Sequence, residues 1–257
     1  MASWIVHLRI AENLLGLIPG LDPAPFAVGN VAPDSGIPDE KWEKFDPPPE
    51  VTHFGDFPGA ERKLADLEFF RRHLLPLRGG QDRGGVLSCH PELVEGLSKD
   101  SLSFRLGYFF HIVTDNLWSI KIGVPTKERF AAEFEADKDF IWEVKKDWYG
   151  LDFVFVRDHP DCLFWRLFLS AQPETGGLDF LPLEAVRQRV EYIQQYYQRT
   201  DEKVQAAYHR PYIYLSQAEM DGFVDETSAH LFRIYQHLWV GAASPDGFVS
   251  ALDLLPP

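Results

Sequence analysis

The chain has 257 residues, 45% of them hydrophobic, which is enough for one substantial core. Its formal net charge of −14 argues against long nucleic acid as a partner, since such binding depends on Lys and Arg neutralising phosphates. The two cysteines, Cys89 and Cys162, form neither a disulfide framework nor a zinc-ribbon spacing.

Helical periodicity dominates the chain from the start. Ile5, Leu8, Ala11 and Leu15 recur at helix spacing after Ser3, a residue type suited to an N-cap, and His7 falls early in that helix. Next comes Phe26-Ala-Val-Gly-Asn30-Val-Ala-Pro-Asp34-Ser-Gly36, where Asp34 follows a Pro and precedes Ser-Gly, as in a turn. A Pro-rich stretch over 37–50 leads to a loop that carries His53. Leu64, Leu67, Phe70 and Leu74 then mark an amphipathic helix over 61–75, on which His73 reads as solvated. Further helices are expected over 101–120, 126–149 with a possible break, 183–197 and 216–239. Only Phe153-Val-Phe-Val156 and Tyr212-Ile-Tyr-Leu215 look β-like, and both are too short to build a sheet. The fold expected is an all-α helical bundle, a single domain over 1–257. No run reaches the ~18 apolar residues of a membrane-spanning helix. His7, Arg9 and Glu12 interrupt any leader-like apolar stretch at the start. A cytoplasmic protein is therefore expected.

The helix over 101–120 holds the main chemical signal. Within Gly107-Tyr-Phe-Phe-His111-Ile-Val-Thr-Asp115-Asn-Leu-Trp118, His111 and Asp115 stand four residues apart, so both project from one face. A carboxylate among Phe109, Phe110, Leu117 and Trp118 costs several kcal/mol unless its charge is answered. A divalent metal answers it, and imidazole with carboxylate suits zinc. A buried His–Asp hydrogen bond is the plainer alternative for this pair alone.

Taken together, His-Leu-Arg-Ile-Ala-Glu, Gly-Asn-Val-Ala-Pro-Asp-Ser, Thr-His-Phe and Gly-Tyr-Phe-Phe-His-Ile-Val-Thr-Asp-Asn-Leu-Trp resemble the zinc-dependent phospholipase C family, which is related in fold to the P1-type nucleases. The resemblance covers residues 1 to about 120 in pieces. It implies an all-α phosphodiester hydrolase whose metal ligands are His7, Asp34, His53, His111 and Asp115, with Asp34 also acting on the attacking water. It further implies a phosphodiester or phospholipid head group as substrate. Two zinc ions are expected, with Asp115 shared between them, and a third is not.

The chain departs from the family's pattern in two places. Secreted members begin with a Trp whose amino group and carbonyl bind metal, whereas Trp4 here follows Met-Ala-Ser. Those members also place a second His and a His-x-x-x-Glu pair after the His-x-x-x-Asp helix, a region that here contains no His before His159. Asp139, Glu143 and Asp147, spaced i, i+4, i+8, are the alternative oxygen ligands, and His159 at a helix end is a distant sixth candidate. Three acids in a row more often form a solvated face. Thr52, Thr114 and Asn116 adjoin the ligands as candidates to orient them. Two other functions stay open: a helical metal-binding scaffold without turnover, and a nuclease or nucleotide phosphoesterase on the same fold. His209, His230 and His237 read as core or surface residues.

Residues 79–100 stand apart. Their Gly-rich start lacks the Gly-Lys-Ser/Thr ending of a phosphate-cradling loop. Pro-Glu-Leu-Val-Glu-Gly-Leu-Ser-Lys-Asp resembles the translation of a palindromic repeat scattered through some bacterial genomes. The segment is thus expected to be a flexible insertion between helices, where extra length costs little, and Cys89 and His90 are discounted as site residues. Deleting 79–99 should leave metal content and activity intact. Metal analysis of the deletion variant checks this, and loss of zinc would overturn it.

Overall fold

The computed structural model describes residues 1–40, 43–55, 65–78 and 98–254. The first half of the chain contributes α1 (Trp4–Leu17), α2 (Pro23–Gly29), α3 (Pro49–Thr52), α4 (Asp66–His73) and α5 (Lys99–Trp118). The second half contributes α6 (Val124–Arg129), α7 (Ala131–Ala136), α8 (Phe140–Asp158), α9 (Leu163–Arg166), α10 (Leu183–Tyr197), α11 (Glu202–Ala207) and α12 (Gln217–Tyr235). The strands among the described residues are β1 (Ile37–Pro38) and β2 (Phe45–Asp46), paired antiparallel. The protein is all-α, as its periodicity predicts.

Several boundaries and local expectations are corrected. The Pro-rich stretch 37–50 carries the small β ladder, whereas Phe153–Val156 lies inside α8 and Tyr212–Leu215 forms no strand. The aromatic and β-branched run is helical because 3.6-residue spacing buries Trp148, Leu151, Phe153, Val154 and Val156 together with the face that precedes them. The expected helix over 126–149 is three helices, interrupted at Phe130 and at 137–139. That expected over 61–75 begins, within the described residues, at Asp66. The inserted segment 79–97 lies outside the described residues, Cys89 and His90 included. Ser3 precedes α1 without capping it: its hydroxyl instead donates to Asp152 Oδ1 at 2.7 Å.

α5 is the axis of the bundle, with every residue from Leu106 to Trp118 buried. α2 crosses it so closely that glycine is required on both sides. A Cβ on Gly29 would lie 2.1 Å from the Phe104 carbonyl oxygen, and one on Gly107 would lie 2.4 Å from that of Phe26. Buried carboxylates tie the outer elements to this axis. Asp66 accepts from Asn116 Nδ2, Ser250 Oγ and the Ala251 amide, fastening the carboxy-terminal turn to α4 and α5. Asp152 accepts from Ser3 Oγ and from Tyr197 Oη at 2.5 Å, joining the start of α1 to α8 and α10.

Burial raises the Asp152 carboxyl to about 7, against the lowering effect of these hydrogen bonds. An unfolded chain would release that proton near 3.8, the ordinary value. Between these two values the native state retains a proton that the unfolded state has lost, so this group's contribution to stability falls as pH rises from about 4 to 7. Asp152→Asn, which keeps the shape without the charge, should remove that fall. It should exceed the wild type at pH 8 by on the order of a few kcal/mol. Thermal unfolding of both proteins at pH 5 and pH 8 checks this. A variant equally weakened at both pH values would refute it.

Candidate metal centre

Five side chains converge from four parts of the chain. His7 comes from the first turns of α1, and Asp34 ends the short 3₁₀ turn Ala32–Asp34 after α2. His53 follows α3, while His111 and Asp115 stand one turn apart on α5. His7 and His111 are fully buried, and Asp115 and His53 are nearly so. Two sets of three ligand atoms, each set within 4.8 Å, are present among the described residues: His7, His111, Asp115 and Asp34, His53, His111. These groups could hold a metal ion.

Asp115 is the hub. Its Oδ1 lies 3.4 Å from His7 Nε2, and its Oδ2 lies 3.4 Å from His111 Nε2 and 3.8 Å from His53 Nε2. The Ala2 amide also donates to Oδ1 at 2.8 Å. The His7 and His111 rings stack with centroids 3.9 Å apart. Hydrogen bonds satisfy this arrangement only in part. Both ring nitrogens of His7, Nε2 of His111 and Oδ2 of Asp115 are buried without a hydrogen-bond partner among the described residues. Orphaned buried polar atoms cost about 1–3 kcal/mol each, and one atom each from His7, His111 and Asp115 lies close enough to the others for a single cation to satisfy all three.

The outer contacts favour the same occupant. His111 Nδ1 donates to the Asn30 carbonyl at 2.8 Å, so Nε2 is the ring atom that faces Asp115. Thr52 Oγ1 lies 3.0 Å from His53 Nδ1 and turns Nε2 toward Asp34 Oδ1 at 3.2 Å. The Thr52 carbonyl in turn accepts from Tyr108 Oη on α5. Asp34 Oδ2 accepts from Trp4 Nε1 at 2.8 Å. Burial, with His111 beside it, pushes His7 down to about 4, so its ring is neutral and ligand-competent at physiological pH. For His111, Asp115 outweighs burial and raises the value. Burial would raise both carboxyls, yet His53 and His111 bring Asp34 down and the positive groups around Asp115, His111 included, hold it well below the usual carboxylate range.

The downstream acids do not join this cluster. Asp147 is buried, but Oδ2 accepts from the Ile213 and Tyr214 amides, each at 2.7 Å, and Oδ1 pairs with Arg210 at 3.0 Å. Glu143 pairs with Lys146 and Arg210, and Asp139 is exposed at the start of α8. His159 ends α8 exposed, stacked on Phe155. Of the expected orienting residues, Thr52 touches a ligand and Asn116 serves Asp66 instead. His73 is half-buried against Phe54, Phe69 and Phe180 rather than solvated. His230 pairs loosely with Glu226, and His237 is exposed.

A cavity of about 390 Å³ opens beside the cluster, reaching Asp34 and His53. Its lining also includes Trp142, Lys145 and Tyr149 of α8 and Arg189, Tyr192 and Tyr196 of α10, none of them within the motifs above. Each trio has i, i+3, i+7 spacing, a helical stripe that the sequence does carry. No helix among the described residues is long and apolar enough to cross a membrane. Comparison with protein families, curated proteins and solved structures finds no match in any of the three.

A divalent ion added to chelator-treated protein should raise its melting temperature, by the equivalent of about 2.7 kcal/mol at a hundredfold excess over Kd. Asp115→Ala should abolish the rise. Differential scanning calorimetry reads both, and an unchanged melting temperature in the wild type would remove the metal centre.

Proposed function

We propose that the chain is a zinc-dependent hydrolase of phosphodiester bonds, phospholipase C-like in its chemistry. The observation that carries this is the set of buried, unpartnered imidazole and carboxylate atoms beside an open cavity that Asp34 and His53 reach. Imidazole nitrogen with carboxylate oxygen is a donor set suited to zinc. His7, His111 and Asp115 would hold one ion, and Asp34 with His53 a second, with the two oxygens of Asp115 turned toward both sets.

When bound, zinc supplies Lewis-acid neutralisation of phosphoryl oxygens and lowers the pKa of water from about 15.7 to about 7. The protein's own residues do the positioning. Trp4 Nε1 and His53 hold the Asp34 carboxylate ionised at the cavity's edge. From there it can orient a water for in-line attack and take its proton. The Asn30 carbonyl, which can only accept, keeps His111 in one tautomer, and Thr52 sets the orientation of the His53 ring. Neither a Ser nor a Cys nucleophile is required.

Purified protein should contain about two zinc ions per chain by mass spectrometry and hydrolyse bis(p-nitrophenyl) phosphate in a chelator-sensitive way. Asp115→Ala should lose most of the metal. No zinc even after reconstitution would end the hydrolase reading, and zinc without turnover would make the chain a metal-binding scaffold.

A further inference from the structure

The wall of the cavity beside the cluster combines aromatic faces with cations already seated on them. The Arg189 guanidinium lies over the Trp4 ring at 5.3 Å and the Tyr192 ring at 5.8 Å. One of its NH₂ groups donates to the Gly36 carbonyl at 3.3 Å, and its Nε is buried without a partner. Lys145 Nζ lies over Trp142 at 4.7 Å. Neither cation makes an ion pair among the described residues, although the protein as a whole is strongly acidic. Lys145 also lines a second cavity of about 410 Å³, which shares Met1 and Trp148 with the first and adds Lys127 and Lys138 to its wall. Across the two cavities Lys127, Lys138, Lys145 and Arg189 outnumber the one lining carboxylate, Asp34, against the sign of the whole molecule.

We propose that this cavity binds phosphoesters whose organic part bears a second anionic group, with Lys145 and Arg189 as the residues that read it, and that it disfavours cationic head groups. The inference rests on the metal-dependent hydrolase reading for the position of the phosphate. Aromatic faces recognise quaternary ammonium groups when their electron-rich surface is free. Here Arg189 and Lys145 cover the faces of Trp4, Tyr192 and Trp142, so an incoming cation meets like charge. Charge counting points the same way. Two divalent ions exceed the charge of Asp34 and Asp115 by two, and Lys145 with Arg189 add two more. A simple phosphodiester answers one of these, and a further phosphate or carboxylate answers part of the remainder. Partial burial strengthens such a pairing relative to open water.

Three probes of similar size separate the outcomes: 3-phosphoglycerate has a carboxylate beside its phosphate, glycerol 3-phosphate has neutral hydroxyls, and phosphocholine has a quaternary ammonium. Calorimetric titration into the full-length zinc-loaded protein should rank them in that order, with about tenfold or more in Kd between the first and the last. Lys145→Gln and Arg189→Gln, checked for unchanged zinc content and folding, should each narrow that gap while glycerol 3-phosphate binding persists. Phosphocholine binding as tightly as 3-phosphoglycerate, the same ranking undiminished in both variants, or no binding of any probe would overturn the proposal. Hydrolysis is scored separately on bis(p-nitrophenyl) phosphate. A protein without turnover that still ranks the probes this way, through Lys145 and Arg189, loses the hydrolase reading and keeps the anion site.

Discussion

The structure depends on keeping one carboxylate, Asp115, ionised inside the apolar axis of the bundle. α5 is mostly aromatic and aliphatic around it, and burial leaves it almost no solvent with which to share its charge. Burial of this kind is tolerable only when compensating groups come to it. They come from far apart in sequence: an amide at Ala2, an imidazole from α1, another from the end of α3 and a third from one turn earlier on α5. Much of the first third of the chain is organised by that requirement. α1 must present His7, the 3₁₀ turn after α2 must present Asp34, and Tyr108 must pin the end of α3 so that His53 faces inward.

The cavity and the cluster divide the labour. The cluster is buried, with ring orientations set by Asn30 and Thr52. The cavity is open on one side, with Trp142 and Tyr192 partly in solvent. A buried cluster bordered by a wider, charged cavity separates tightly fixed groups from a space that a ligand can enter.

How much of this the sequence disclosed varies by residue. His111 and Asp115 were legible from spacing alone, because four residues on a helix define a shared face. His7, Asp34 and His53 were legible only as members of a set of short motifs, since each alone looks like a core imidazole, a turn residue or a loop residue. The stripes Trp142-Lys145-Tyr149 and Arg189-Tyr192-Tyr196 repeat at helical intervals, yet nothing local says which side of α8 or α10 borders a cavity. The mistaken expectations share a cause. His73 looked solvated because its aromatic neighbours Phe54 and Phe180 are distant in sequence, and Asp147 looked like a spare ligand because its partners lie beyond residue 209. The run at 153–156 looked extended because four bulky residues in a row hide the helical period that the preceding turns establish.

The acceptor that sets the tautomer of His111 is a main-chain oxygen, that of Asn30, and no substitution at position 30 can delete it. Its location depends instead on how near α2 can come to α5, which Gly29 and Gly107 determine. The protonation pattern of an imidazole in the buried cluster is thereby written into the spacing of two helices. Side-chain variation around it can change size and polarity freely, so long as neither glycine acquires a carbon that pushes the carbonyl away.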